Sequence, residues 1–176
     1  MNNLITPIRS LILTPSQLAT LDRLGRVTES TQLRMQHCSV NGGLLVVQVE
    51  QGELTVSAAA SLIKQFDLAW APRPLIRAAV QDLLVRRRQF ASAVASGLPL
   101  PPSRSISGVG MIRAAATGHI LVQGCSELIE VDQGLPDWIK SALQRQGSTV
   151  ALNHSVLVDE GFGSGRWQLR GTQRIG

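Results

Sequence analysis

The sequence predicts an α+β protein in which antiparallel β-hairpins pack with about four helices. Three observations carry that class. Apolar residues recur at helical spacing over residues 74–95, apolar runs flank the tight-turn triplet Asn41-Gly42-Gly43, and short strand-like runs fill the C-terminal third. With 176 residues, 44% apolar and 16% charged, the chain can bury roughly 70% of its unfolded surface. It is far in composition from a disordered segment. Three Phe, three Trp and no Tyr leave Leu, Val, Ile and Ala to fill the core, and the lack of Tyr removes a favoured interface anchor.

The first helix start is signed by Thr14 as the cap, Pro15 at the first helical position and Gln17 as the capping-box partner. Leu18, Leu21 and Leu24 then make a short amphipathic helix that is expected to end at Gly25. Residues 33–40 read as a strand, Asn41-Gly42-Gly43 as a hairpin turn supplying positive φ angles, and 44–50 as the returning strand. Gln51-Gly52 makes a second turn, residues 53–56 a short strand, and Ser57 a cap for a helix carrying Ala60, Ile63 and Phe66 on one side.

Ala71-Pro72-Arg73-Pro74 must break that helix. The longest helix follows over residues 74–95, with Ile76, Ala79, Val80, Leu83, Leu84, Phe90 and Val94 as its apolar stripe. Residues 97–107 hold three prolines and three serines and read as an extended connection. The expected organisation is therefore an N-terminal subdomain over 1–97, a Pro/Ser-rich connection over 98–107 and a C-terminal subdomain over 108–176, with a single domain over 1–176 as the alternative. Beyond the connection, 119–124 and 127–131 read as short strands, and 135–146 as a helix with Pro136 at its start and Gly147 past its end. Residues 149–158 read as a long strand, and 166–170 as a last strand that pairs back on it across the loop of Gly161, Gly163 and Gly165.

Residues 1–9 contain Pro7 and no continuous apolar run, so no secretory leader is expected, and Cys38 and Cys125 are expected as reduced thiols in a cytoplasm. No window approaches the ~18 apolar residues of a spanning helix. The chain carries 17 basic and 12 acidic residues, a net +5, and its basic side chains are nearly all Arg, which binds phosphate and carboxylate bidentately. The first 97 residues, with ten basic and six acidic side chains, hold +4 of that total, and residues 98–176, with seven and six, hold +1.

The candidate partner-binding residues are Arg73, Arg77, Arg86, Arg87 and Arg88 on the long helix and Arg166, Arg170 and Arg174 in the C-terminal strand and tail. At about 100° per residue, Arg73, Arg77 and Arg88 fall within roughly 60° of one another, a stripe that could follow a phosphate backbone. The plainer reading is a solvated edge whose arginine stems cover apolar surface. In the last strand, Arg166, Gln168 and Arg170 share one face and Trp167 and Leu169 the other. Charged residues there would equally protect an edge strand. Stacking aromatics interleaved with the basic residues, which a single-stranded nucleic acid would favour, are sparse, because Phe90 and Trp167 occupy expected core positions.

Other constellations are weaker. Ser107-Gly108-Val109-Gly110 has the first two glycines of a phosphate-cradling turn, but a proline-rich loop precedes it and residue 113 is Arg where the third glycine belongs. The glycines within residues 159–166 could turn backbone N–H groups to an anion. His37, Cys38, His119, Cys125 and His154 show no paired zinc-ligand spacing. His154 near Asp159 and Glu160 offers acid–base groups, but no G-x-S-x-G elbow is present. No catalytic residue, metal ligand or cofactor is therefore assigned.

The expected function is a non-catalytic cytoplasmic binding or assembly protein whose Arg-rich surfaces engage an acidic protein partner or nucleic acid. Two alternatives stand beside it. One is a small enzyme or ligand-binding domain using the Gly108–Gly110 or Gly161–Gly165 loop with His119, Cys125 or His154. The other is a homo-oligomer built through the long helix and exposed strand edges.

Overall fold

In the computed structural model, which describes residues 3–115, 118–147, 149–161 and 165–174, the elements run in three stretches. The chain opens with β1 (Asn3–Ile12) and α1 (Pro15–His37). It continues through β2 (Ser39–Val40), β3 (Gly43–Leu44), α2 (Leu45–Glu50), α3 (Val56–Gln65), α4 (Arg73–Gln89) and α5 (Ala91–Ala95). It closes with β4 (Ser105–Ile106), β5 (Ile112–Ala115), β6 (His119–Val122), β7 (Ile129–Val131), α6 (Asp137–Gln146), β8 (Val150–Ala151), β9 (Ser155–Asp159) and β10 (Trp167–Arg174). Helices and an antiparallel sheet combine as the α+β class predicts, with six helices among the described residues. None of them is long and apolar enough to cross a membrane.

Two compact units emerge. One contains Met1–Leu24 with Ser105–Gly176, the other Gly25–Arg104. The second boundary falls inside the Pro/Ser-rich connection, and the first 24 residues group with the C-terminal part of the chain. Helix α1 is continuous through residue 25 and contributes to both units.

The expected capping box opens α1. Gln17 N–H donates to Thr14 Oγ1 at 3.2 Å, and Thr14 N–H donates to Gln17 Oε1 at 3.0 Å. The helix does not stop at Gly25 as expected. A lone helical glycine costs about 1 kcal/mol, and burial of Leu21 and Leu24 before it and of Val27 and Met35 after it outweighs that cost. Continuation to His37 converts most of the expected strand over 33–40 into helix, leaving only Ser39 and Val40 extended.

The turn itself forms as read, with Asn41 at φ 53 and Gly42 at φ 84. Its arms are only two residues each, pairing Ser39 with Leu44 and Val40 with Gly43. The returning segment is helix α2, which buries Leu45 and Val46, and its Gln48 folds back to donate from Nε2 to Gly43 O at 3.0 Å and to Val40 O. The expected strand over 53–56 is also absent. Thr55, rather than Ser57, caps α3, accepting from Ala58 N–H at 3.0 Å.

Helix α4 begins after Pro72 and buries Leu75, Ile76, Ala79, Val80 and Leu83. It ends at Phe90, where φ −111 and ψ 42 leave the helical region, so the expected helix over 74–95 is two helices. Phe90 is 56% exposed rather than a member of the core.

The first unit holds the eight-stranded sheet, in the order β4-β9-β10-β1-β7-β6-β5-β8, with every pairing antiparallel. Strand β1, absent from the sequence reading, joins the halves. It pairs with β10 from Asn3 to Ser10 and with β7 at Leu11 and Ile12, with a register shift between Thr6 and Arg9. The expected long strand over 149–158 divides at residues 152–154, so that β8 pairs with β5 while β9 pairs with β10. Where a phosphate-cradling turn would open a helix, Gly110 is instead followed by strand β5. Trp167, Met111, Ile112, Ile120 and Leu157 are buried in this unit, and Trp167 Nε1 donates to Asp22 Oδ1 at 3.1 Å.

Candidate partner-binding surface

The arginines of α4 divide into two groups by what they touch. Arg87 donates from Nε and Nη2 to the two carboxylate oxygens of Glu50, each at 3.0 Å, with its side chain 11% exposed. Arg86 donates to Asp82 Oδ2 at 3.1 Å, Gln32 Oε1 at 2.7 Å and Pro101 O at 2.7 Å. These two consecutive side chains are spent on internal contacts, since bidentate and charge-assisted bonds of this kind fix geometry.

Arg73, Arg77 and Arg88 are exposed. Arg73 donates from Nη2 to Ser61 Oγ at 2.6 Å and to Ser57 O at 3.4 Å. Among the described residues, none of the three forms an ion pair with a carboxylate. On an α-helix, positions 73 and 88 lie about 22 Å apart along the axis and within roughly 60° around it. The result is a cationic strip with no carboxylate ion pair among the described residues.

Exposed aromatic residues precede and follow α4 in the sequence. Trp70, before the helix, is 44% exposed, and Phe90, after it, is the exposed residue that sequence periodicity assigns to the core. Phe66 is exposed as well and receives the Arg34 guanidinium 5.2 Å from its ring centroid, a cation–π distance.

The C-terminal arginines present a different picture. Strand β10 lies between β9 and β1, so it is an interior strand rather than an edge. Trp167 and Leu169 are buried as the two-residue period requires, and Gln168 on the opposite face is buried too. Gln168 Oε1 accepts from Arg170 Nη2 at 2.9 Å, and Arg170 Nε is buried without a hydrogen-bond partner. Arg166 is exposed just before the strand. Arg174 ends the strand, and its side chain lies outside the described ones. Residues 162–164 of the glycine loop likewise lie outside the described residues.

The groups of the enzyme alternative can be placed in the same way. Cys125 borders two shallow clefts in the sheet-bearing unit, of about 100 and 220 Å³. Ser16, Gln17 and Thr20 line the smaller with it, and Gly110 and Arg113 the larger. Neither His119 nor His154 lines either cleft. Burial pushes the Cys125 thiol above its usual pKa, which lowers the thiolate fraction that a nucleophile needs. Among the described residues no group of three His, Cys, Asp or Glu side chains is placed to hold a metal ion.

Two residues absent from the sequence reading organise the helical unit. Gln32 and Gln36 of α1 are buried and hydrogen-bonded to other segments. Their i, i+4 spacing was the available signal, obscured because residues 33–40 read as a strand. No protein-family model matches the chain, and no curated protein matches it.

Proposed function

We propose that this is a non-catalytic binding or assembly protein, cytoplasmic in setting, that engages an acidic partner through Arg73, Arg77 and Arg88 of α4. The observation supporting this reading is the partition of the arginines. Glu50 and Asp82 hold Arg87 and Arg86, while the three arginines of the strip have no carboxylate ion pair among the described residues. Among acidic partners, a single-stranded nucleic acid is favoured by the exposed Trp70 and Phe90 at the two ends of α4, because bases stack on aromatic rings while guanidinium groups track phosphates.

The test is fluorescence anisotropy with a labelled mixed-sequence single-stranded oligonucleotide, titrated at several salt concentrations. The variant combines Arg73→Gln, Arg77→Gln and Arg88→Gln and leaves Arg86 and Arg87 in their internal contacts. Each phosphate contact to a single strand contributes about 0.7 to the slope of log K against log salt, so losing three should flatten that slope by about 2. A variant with the slope of the parent protein excludes the strip as the contact. Binding of poly-glutamate but not of the oligonucleotide by the parent protein makes the partner an acidic protein surface.

A further inference from the structure

Residues 98–104, Leu-Pro-Leu-Pro-Pro-Ser-Arg, cross the helical unit as an extended segment with no regular secondary structure of its own. Prolines at positions 99, 101 and 102 have no N–H, so from 99 to 103 only Leu100 and Ser103 can donate from the backbone. Both donors meet glutamine side chains of α1. Leu100 N–H donates to Gln36 Oε1 at 2.8 Å, and Ser103 N–H donates to Gln32 Oε1 at 2.8 Å. Gln36 Nε2 returns a bond to Leu100 O at 2.9 Å, completing the two-way exchange that a neighbouring β-strand makes with one residue.

The remaining contacts read the segment in order. The Leu100 side chain is buried. Arg86 Nη1 donates to Pro101 O at 2.7 Å, and Arg104 Nε donates to Glu29 Oε2 at 2.6 Å. Glu29, Gln32 and Gln36 share one face of α1, being spaced i, i+3 and i+7, and α4 adds Arg86 from the side. The arrangement has the two parts of extended-peptide recognition: side-chain amides paired with backbone for affinity, and separate contacts for individual side chains for specificity.

We propose that the Glu29/Gln32/Gln36/Arg86 face is a recognition site for a proline-rich peptide of the pattern Pro-Leu-Pro-Pro-Ser-Arg, and that residues 99–104 are its occupant in cis. A proline-rich strand is stiff before it binds, so it loses little conformational entropy on docking. The tethered segment, present at about millimolar effective concentration, excludes a free peptide until it is released. Arg73, Arg77 and Arg88 take no part, so this site stands or falls independently of the cationic strip.

The probe is a fluorescently labelled synthetic peptide of residues 97–105, titrated into the full-length chain carrying Leu100→Asp. The aspartate cannot occupy a buried apolar position without a large desolvation cost, which vacates the site. The expected result is saturable binding to the Leu100→Asp chain, with affinity at least about tenfold weaker both for the parent chain, whose own segment competes, and for the Leu100→Asp/Gln36→Ala chain, which lacks the two-way pairing. A Leu100→Asp chain that keeps its far-UV circular dichroism yet binds no peptide overturns the proposal. If that variant fails to fold, amide hydrogen exchange on the parent chain decides. Exchange of Leu100 and Ser103 by local opening, faster than that of Leu83 in the core, supports a releasable ligand, whereas exchange only through global unfolding overturns it.

Discussion

Two bonds of 3.0 Å tie the Arg87 guanidinium to Glu50, and ten positions earlier on the same helix Arg77 is exposed, with no carboxylate ion pair among the described residues. The two should respond differently to the same substitution. Arg87→Gln removes both bonds to the exposed Glu50 carboxylate, at a cost of about 1 kcal/mol. Arg77→Gln should stay within about 0.5 kcal/mol of the parent protein. Urea denaturation of both variants reads the difference, and equal stability would show that the Glu50 contact adds nothing. Gln32 shows the same economy with an uncharged group. Its Nε2 donates to Ala79 O at 3.1 Å and Asp82 Oδ2 at 2.9 Å, while its Oε1 accepts from Arg86 and Ser103. Such a buried amide is tolerated because each of its polar atoms is satisfied.

Helix α4 owes its position to a stripe of Leu75, Ile76, Ala79, Val80 and Leu83, all buried. Leu83→Ala is therefore expected to cost about 2–5 kcal/mol, measured by thermal or urea unfolding. A near-neutral result would mean that the helix packs through another face. The stripe does not extend past residue 89. At Phe90 the backbone leaves the helical region and the ring turns outward, although the helical period there continues in the sequence. Helix α1 deviates in the other direction. Gly25 looks like a stop signal, yet the helix passes through it, because apolar residues on both sides find burial.

At the scale of the molecule, α1 links the two compact units, with Leu21 and Leu24 buried on one side of the boundary and Val27 and Met35 on the other. A single helix serving both cores should couple their unfolding. Trp70 belongs to the helical unit, while Trp138 and Trp167 belong to the sheet-bearing unit. In a Trp70→Phe variant, tryptophan fluorescence thus follows the sheet-bearing unit alone, and far-UV circular dichroism follows both. Coincident midpoints are expected for one cooperative transition. Separated midpoints would show the units melting independently and would make each a domain in its own right.

Local chemistry decided what needs only neighbours in the chain. The Thr14/Gln17 capping box, the Asn41-Gly42 turn, the start of α4 next to Pro72, and the helix between Pro136 and Gly147 were legible because their signals are steric or lie within one helical turn, whereas α3 ends at Gln65, well before the prolines expected to break it. The stripe of Arg73, Arg77 and Arg88 was legible for the same reason, since helical period alone puts them on one face. Tertiary packing decided the rest. The apolar run of residues 44–50 suits a strand or a buried helix equally by composition, and the fold has it as α2, with Leu45 and Val46 buried and Gln48 donating back to Gly43 O. Whether Arg86 and Arg87 faced solvent or bound Asp82 and Glu50 depended on carboxylates 4 and 37 positions away. The pairing of Gln32 with Ser103 and of Gln36 with Leu100 spans 71 and 64 positions, a distance over which no periodic pattern in the chain carries information.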